Sequence, residues 1–129
     1  MGSFILILFI ITMSFKFEKL LIWQKAMDFG EEIYKISKSF PKHEIYNLSS
    51  QLLRASDSIA LNISEGSIEQ SSAEYKRFLG YSIRSIAEVV TCLHKGKRRN
   101  YIDNAQFEKL YKDSFDLLNM TVAFKQKVK

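Results

Sequence analysis

From Phe17 onward the apolar residues recur at three- and four-residue steps, and no stretch alternates in the two-residue rhythm of a strand. The pattern predicts four helices. The first spans about Phe17 to Lys38 and carries two apolar lines. Leu20, Trp23, Met27, Tyr34 and Ser37 form one; Ile22, Ala26, Phe29, Ile33, Ile36 and Phe40 form the other. Two lines exceed the single stripe of a surface helix, so this helix is expected to be covered on both sides. A lone bundle leaves one face of each helix open, and an unmet apolar face is the usual mark of a subunit contact. Ile22, Trp23, Phe29 and Ile33 are therefore the oligomer-interface candidates. Phe40-Pro41 ends the segment, because a residue before proline is pushed out of the helical region.

The second helix is expected to open near Pro41–Ile45, proline being tolerated in a first turn. It buries Leu48, Leu52, Ala55, Ile59 and Ile63, with Gly66 as a left-handed stop. The third opens on Ser71 with Glu74 three residues on, a capping-box pattern, and turns Phe78, Leu79, Ser82, Ile86, Val89, Val90 and Leu93 inward. The fourth starts at Asp103 with Gln106 as capping partner and runs through Phe107, Leu110, Leu117, Thr121 and Phe124. Four helices joined by short turns point to an all-α, antiparallel up-down bundle.

Residues 4–11 break the pattern: Phe-Ile-Leu-Ile-Leu-Phe-Ile-Ile is continuously apolar. A membrane span needs about 20 such residues, and a signal peptide begins with basic residues that Met-Gly-Ser lacks. Met13 follows the run and is read as the natural start. This divides the chain into an apolar extension, 1–13, and a bundle, 14–129. The rival reading of the run is a membrane tether.

Composition narrows the function classes. At 129 residues the chain suits one core, and its single cysteine, Cys92, rules out an internal disulfide. Cys92 stands beside inward positions and reads as a small core residue in a reducing, cytoplasmic setting. His43 and His94 lie on different segments, and no Glu-x-x-His repeat, phosphate-binding glycine loop or nucleophile elbow is present. The reading is therefore no enzyme, no metal, no cofactor and no small-molecule substrate.

Net charge is +5, which favours phosphate-bearing partners. Lys95, Lys97, Arg98 and Arg99, flanked by Tyr101, form one basic cluster; Lys125, Lys127 and Lys129 form a second. Both close helices, where cations also suit the helix dipole, and in an up-down bundle they fall at opposite ends. A polar stripe is the other unusual feature. Gln51, Arg54, Ser58, Asn62 and Glu65 step along helix two, and Glu74, Arg77, Tyr81, Arg84 and Glu88 along helix three. They are either solvated faces or a partly buried network in which Arg54 pairs Glu88 or Glu65 to fix helix register or a subunit contact.

Several of these residues together resemble a known bacterial family. Trp23-Gln24-Lys25-Ala26, Phe40-Pro41 with Glu44, Gln51-Leu52, Arg54-Ala55, Asn62-Ile63-Ser64-Glu65-Gly66, Glu88 and Tyr101-Ile102 are similar to the four-helix-bundle proteins encoded in 23S rRNA intervening sequences. The similarity runs from about Phe17 to the C-terminus, and residues 1–12 have no counterpart. The resemblance implies an antiparallel bundle assembling as a ring, commonly a pentamer. A related group serves as accessory proteins to reverse transcriptases of diversity-generating retroelements, where a basic pentamer binds the polymerase and nucleic acid. It also implies that Gln51, Arg54, Ser58, Asn62, Glu65, Gly66 and Glu88 form a family-motif polar network. One position departs: the family tends to a small residue where this chain has Arg84, which bears on a close helix contact or the ring interface. The expected function is a non-enzymatic homo-oligomer binding RNA, or an RNA-associated protein, through basic surface. The alternative is a protein-binding scaffold whose charge is incidental.

Overall fold

The computed structural model describes residues 13–129, so the apolar run at 4–11 lies outside the described residues. A 3-10 turn, Lys16–Lys19, leads into α1, Leu21–Ser37; a second, Lys42–Glu44, leads into α2, Leu48–Ser67. Then come α3, Ser72–Arg98, and α4, Asn104–Lys127, with no strand among the described residues. The four helices pack in a closed circuit in which α1 touches α2 and α4, and α3 touches the same two. Gly30 lies by Ser56, Gly66 by Phe78, and Glu32 pairs with Lys109 across the circuit.

The two apolar lines of α1 have different fates. Ile22, Ala26, Phe29, Ile33, Ile36 and Phe40 are buried, with Ile33 at 0% exposure. Met27 and Tyr34, on the other line, are exposed, and Trp23 is half-buried against the edge of Phe17 at 5.2 Å. Three of the four expected interface residues, Ile22, Phe29 and Ile33, are thus interior and unavailable to a partner. The reason is geometric: α1 is flanked by α2 on one side and α4 on the other, so its wide apolar face is met within the chain. Trp23 alone remains near the surface.

Two boundaries also differ from expectation. Pro41 is extended (ψ 149°), and the chain makes a 3-10 turn before α2 begins at Leu48, seven residues after the proline. Gly66 is no left-handed stop. It lies inside α2, and no glycine among the described residues has positive φ. A Cβ on Gly66 would stand 2.7 Å from the Phe78 Cβ and 3.3 Å from the Tyr75 carbonyl oxygen, so glycine here lets α2 and α3 close on each other. Small side chains continue that seam: Ser82 Oγ donates to the Ile59 carbonyl at 2.8 Å, and Ser58 Oγ donates to Ser85 Oγ.

The capping signals are present. Gln106 N–H donates to Asp103 Oδ1 at 2.7 Å while Asp103 N–H donates to Gln106 Oε1 at 3.1 Å. At α3 only half the box forms: Glu74 N–H donates to Ser71 Oγ, but the Glu74 carboxylate turns to Arg77. The end of α3 is closed by Asn100, the one non-glycine residue at positive φ (60°) among those described. Tyr101 N–H donates to the Gly96 carbonyl at 2.9 Å and Asn100 N–H to that of Lys97 at 3.0 Å, the paired bonds of a Schellman close. That turn delivers Tyr101 and Ile102 to the bundle end.

Candidate nucleic-acid interface

The α1–α2 and α3–α4 connections meet at one end of the bundle. The rings of Phe40 and Tyr101 lie 5.3 Å apart, and Ile102 is buried over Gly96. Between the connections sits Glu44, only 3% exposed. Its carboxylate accepts from the Tyr101 hydroxyl at 2.8 Å, Arg99 Nη1 at 2.9 Å and Asn47 Nδ2 at 3.0 Å. The Leu48 N–H, one of the orphan donors opening α2, also favours the charged carboxylate, and the Asn47 side chain makes no capping bond to the helix. His43 Nε2 completes the cluster 3.2 Å from the Tyr101 hydroxyl.

The Tyr101 hydroxyl, above all, with Asn47, the Leu48 N–H and Arg99 behind it, holds the Glu44 carboxyl below its usual value against the opposing effect of burial. The same bond, with burial, pushes the Tyr101 phenol up. A carboxyl depressed in the folded state contributes stability that is full above its unfolded value and is lost as pH falls through the folded one. We expect the melting temperature to fall as pH drops below about 4.5, and Glu44→Gln to be less stable at pH 7 yet flatter with acid. Equal acid sensitivity in both proteins would show that the clamp carries no charge-dependent stability.

Neutralising Glu44 inside the clamp leaves this end of the bundle basic. Lys38 follows α1, Lys42 and His43 occupy the 3-10 turn, and Lys95, Lys97, Arg98 and Arg99 end α3. Asp103, the remaining acid of these connections, is engaged in capping α4. The cations are not equivalent. Arg99 is committed to Glu44, and Lys97 lies over the Phe107 ring at 4.4 Å, whereas Lys42, Lys95 and Arg98 are exposed. The second expected group, Lys125, Lys127 and Lys129, is elsewhere. Lys125 Nζ lies against Gly80 and Phe124 against Tyr75, in the first half of α3, so the two basic groups do not merge.

The expected polar network is only partly assembled. Arg54 is exposed and its Nε donates to the Ser50 carbonyl of its own helix; it pairs neither Glu88 nor Glu65. Asn62 Nδ2 donates to the Ser58 carbonyl of its own helix at 2.8 Å, so serine hydroxyls, not charges, bridge the seam. Gln51, Arg54, Ser58, Glu88, Cys92 and Lys95 nevertheless share one open groove of about 660 Å³ between α2 and α3. Burial pushes the Cys92 thiol up, which suits a packed residue and not a nucleophile. Arg84 is exposed; its guanidinium lies 5.7 Å from the Tyr81 ring of its own helix, and it lines a groove between α3 and α4. No group of His, Cys, Asp or Glu among the described residues can hold a metal, and no described helix is long and apolar enough to cross a membrane.

Four packed helices with one densely basic end define a helical-bundle protein built around a charged pole. The chain belongs to the 23S rRNA-intervening sequence protein family, whose model matches residues 18–123. In three dimensions it is similar to a crystal structure from Bacteroides thetaiotaomicron, described as a protein of unknown function from the S23 ribosomal protein family. The TM-score is 0.77 at 24% identity, over 83% of this chain and 100% of that one. No curated protein matches the chain.

Proposed function

We propose that this protein is a non-enzymatic, self-assembling, antiparallel up-down bundle that engages RNA, or an RNA-bound protein such as a reverse transcriptase, through its basic end. The observation that carries the reading is that Arg99 and, through Tyr101, His43 converge on a carboxylate whose charge is already satisfied, with exposed Lys42, Lys95 and Arg98 beside them in the chain. Such a surface attracts phosphate without an opposing acid to repel it. Cytoplasmic residence follows from that partner.

Self-assembly is supported by two apolar grooves on opposite sides of the circuit. One, between α1 and α2, is lined by Phe17, Trp23, Met27 and Leu61. The other, between α3 and α4, is lined by Ile83, Val90, Tyr111, Phe115 and Leu118, and Phe115 is 54% exposed. Unlike faces on opposite sides suit a head-to-tail contact that closes into a ring, and family membership favours five copies. The same grooves favour, as second reading, a scaffold for proteins alone.

The test is a salt titration. RNA affinity of the full chain should fall steeply with salt. Lys42→Glu with Arg98→Glu should weaken binding at least about tenfold and shallow the salt slope by about 1–2, whereas Lys125→Glu with Lys127→Glu should do much less. A flat titration, or equal losses from both pairs, would overturn the proposal.

A further inference from the structure

At the basic end one side chain makes no use of the fold. Tyr46 is 96% exposed, while the next most exposed large apolar residue among the described residues is at 67%. Its ring meets no aromatic or cationic neighbour among the described residues. A ring left in water contributes nothing to folding, yet the backbone beneath it is held firmly. Ile45 N–H donates to the Lys42 carbonyl at 3.1 Å and Asn47 N–H to that of Glu44 at 2.9 Å. The Asn47 side chain donates to the Glu44 carboxylate, which is itself fixed by Arg99 and Tyr101. Tyr46 is thus carried on a rigid pedestal at the pole, four residues from Lys42 and three from His43.

We propose that Tyr46 is a stacking platform for an unpaired nucleobase, so that the basic end recognises single-stranded in preference to duplex RNA. This deepens the RNA reading above and rests on it. Exposed cations hold phosphates of either form, because both carry the same backbone. A protruding ring separates them. In a duplex the bases are already stacked on one another, and insertion costs the unstacking of a step. An unpaired base offers its whole face, and the fixed pedestal removes most of the ordering cost of meeting it.

The test uses the full chain with two probes, an unstructured single-stranded RNA of mixed sequence and a duplex of equal length, followed by anisotropy. Tyr46→Ala should weaken single-strand binding about tenfold, leave duplex binding within about twofold, and keep the salt slope. Tyr46→Phe, which keeps the ring, should bind as the native chain does. The site is refuted if Tyr46→Ala binds single strands normally, if it loses both probes equally, or if Tyr46→Phe is as defective as Tyr46→Ala. Salt-insensitive binding of both probes by the native chain instead refutes the underlying RNA reading. Thermal melts of each variant confirm that the exposed substitution leaves the fold intact.

Discussion

Ile33→Ala should cost about 2–5 kcal/mol of folding stability and leave the particle size in solution unchanged. Ile33 is fully buried on the line of α1 that packs inside the chain, and removing most of its side chain leaves a hole that rigid neighbours fill only in part. The measurement is a urea unfolding curve beside a sedimentation run. An interface residue would behave in the opposite way, with subunits dissociating and each remaining folded. A smaller particle without a shift of the unfolding midpoint would mean that Ile33 lies at a subunit contact and not in the core of the chain.

The second large effect separates two glycines that look alike in the sequence. Gly66→Ala should destabilise by about 1–2 kcal/mol: overpacking costs roughly 1–3, and alanine's better helix propensity returns only part of it. The clash is with Phe78 Cβ and a Tyr75 carbonyl, atoms that move only if α2 and α3 part. Gly30 is also inside a helix, but a Cβ there would meet only Ser56 Oγ at an ordinary 3.6 Å. Gly30→Ala should be neutral or stabilising by up to about 1 kcal/mol. Matched thermal melts decide it, and destabilisation of equal size at both sites would defeat the close-seam explanation.

Helix number and type were legible because 3.6-residue periodicity survives along the whole bundle segment, and the Asp103-Gln106 cap was readable from its spacing. What periodicity cannot show is which of two apolar lines faces inward. On α1 both are greasy, and only the positions of α2 and α4 decide that Ile22, Phe29 and Ile33 are core while Met27 is surface. Gly66 was misread because a stop and a close approach call for the same residue, and only the neighbouring Phe78 distinguishes them. The basic end was half-visible. Lys95 to Arg99 are consecutive enough to notice, but Lys42, His43 and Glu44 join them from more than fifty residues away through a tertiary bond. Glu44 carried a signal only as a residue of the family resemblance, and Tyr101 only there and as the flank of the basic run. Arg54 and Glu88 sit at matching steps on adjacent helices, yet long side chains on exposed faces hydrate separately unless burial forces them together.

The Glu44 clamp also makes the two ends of the molecule unequal in how freely they accept extra chain. Lengthening either connection it joins would pull Tyr101 or Leu48 away from the shared carboxylate and expose the aromatic pair beneath. The turn from α2 to α3 is tied by little more than Glu69 N–H to the Gly66 carbonyl, and Ile68 to Ser71 all face water. A peptide graft or fluorescent tag therefore belongs between Glu69 and Gln70, where added residues disturb no shared anchor.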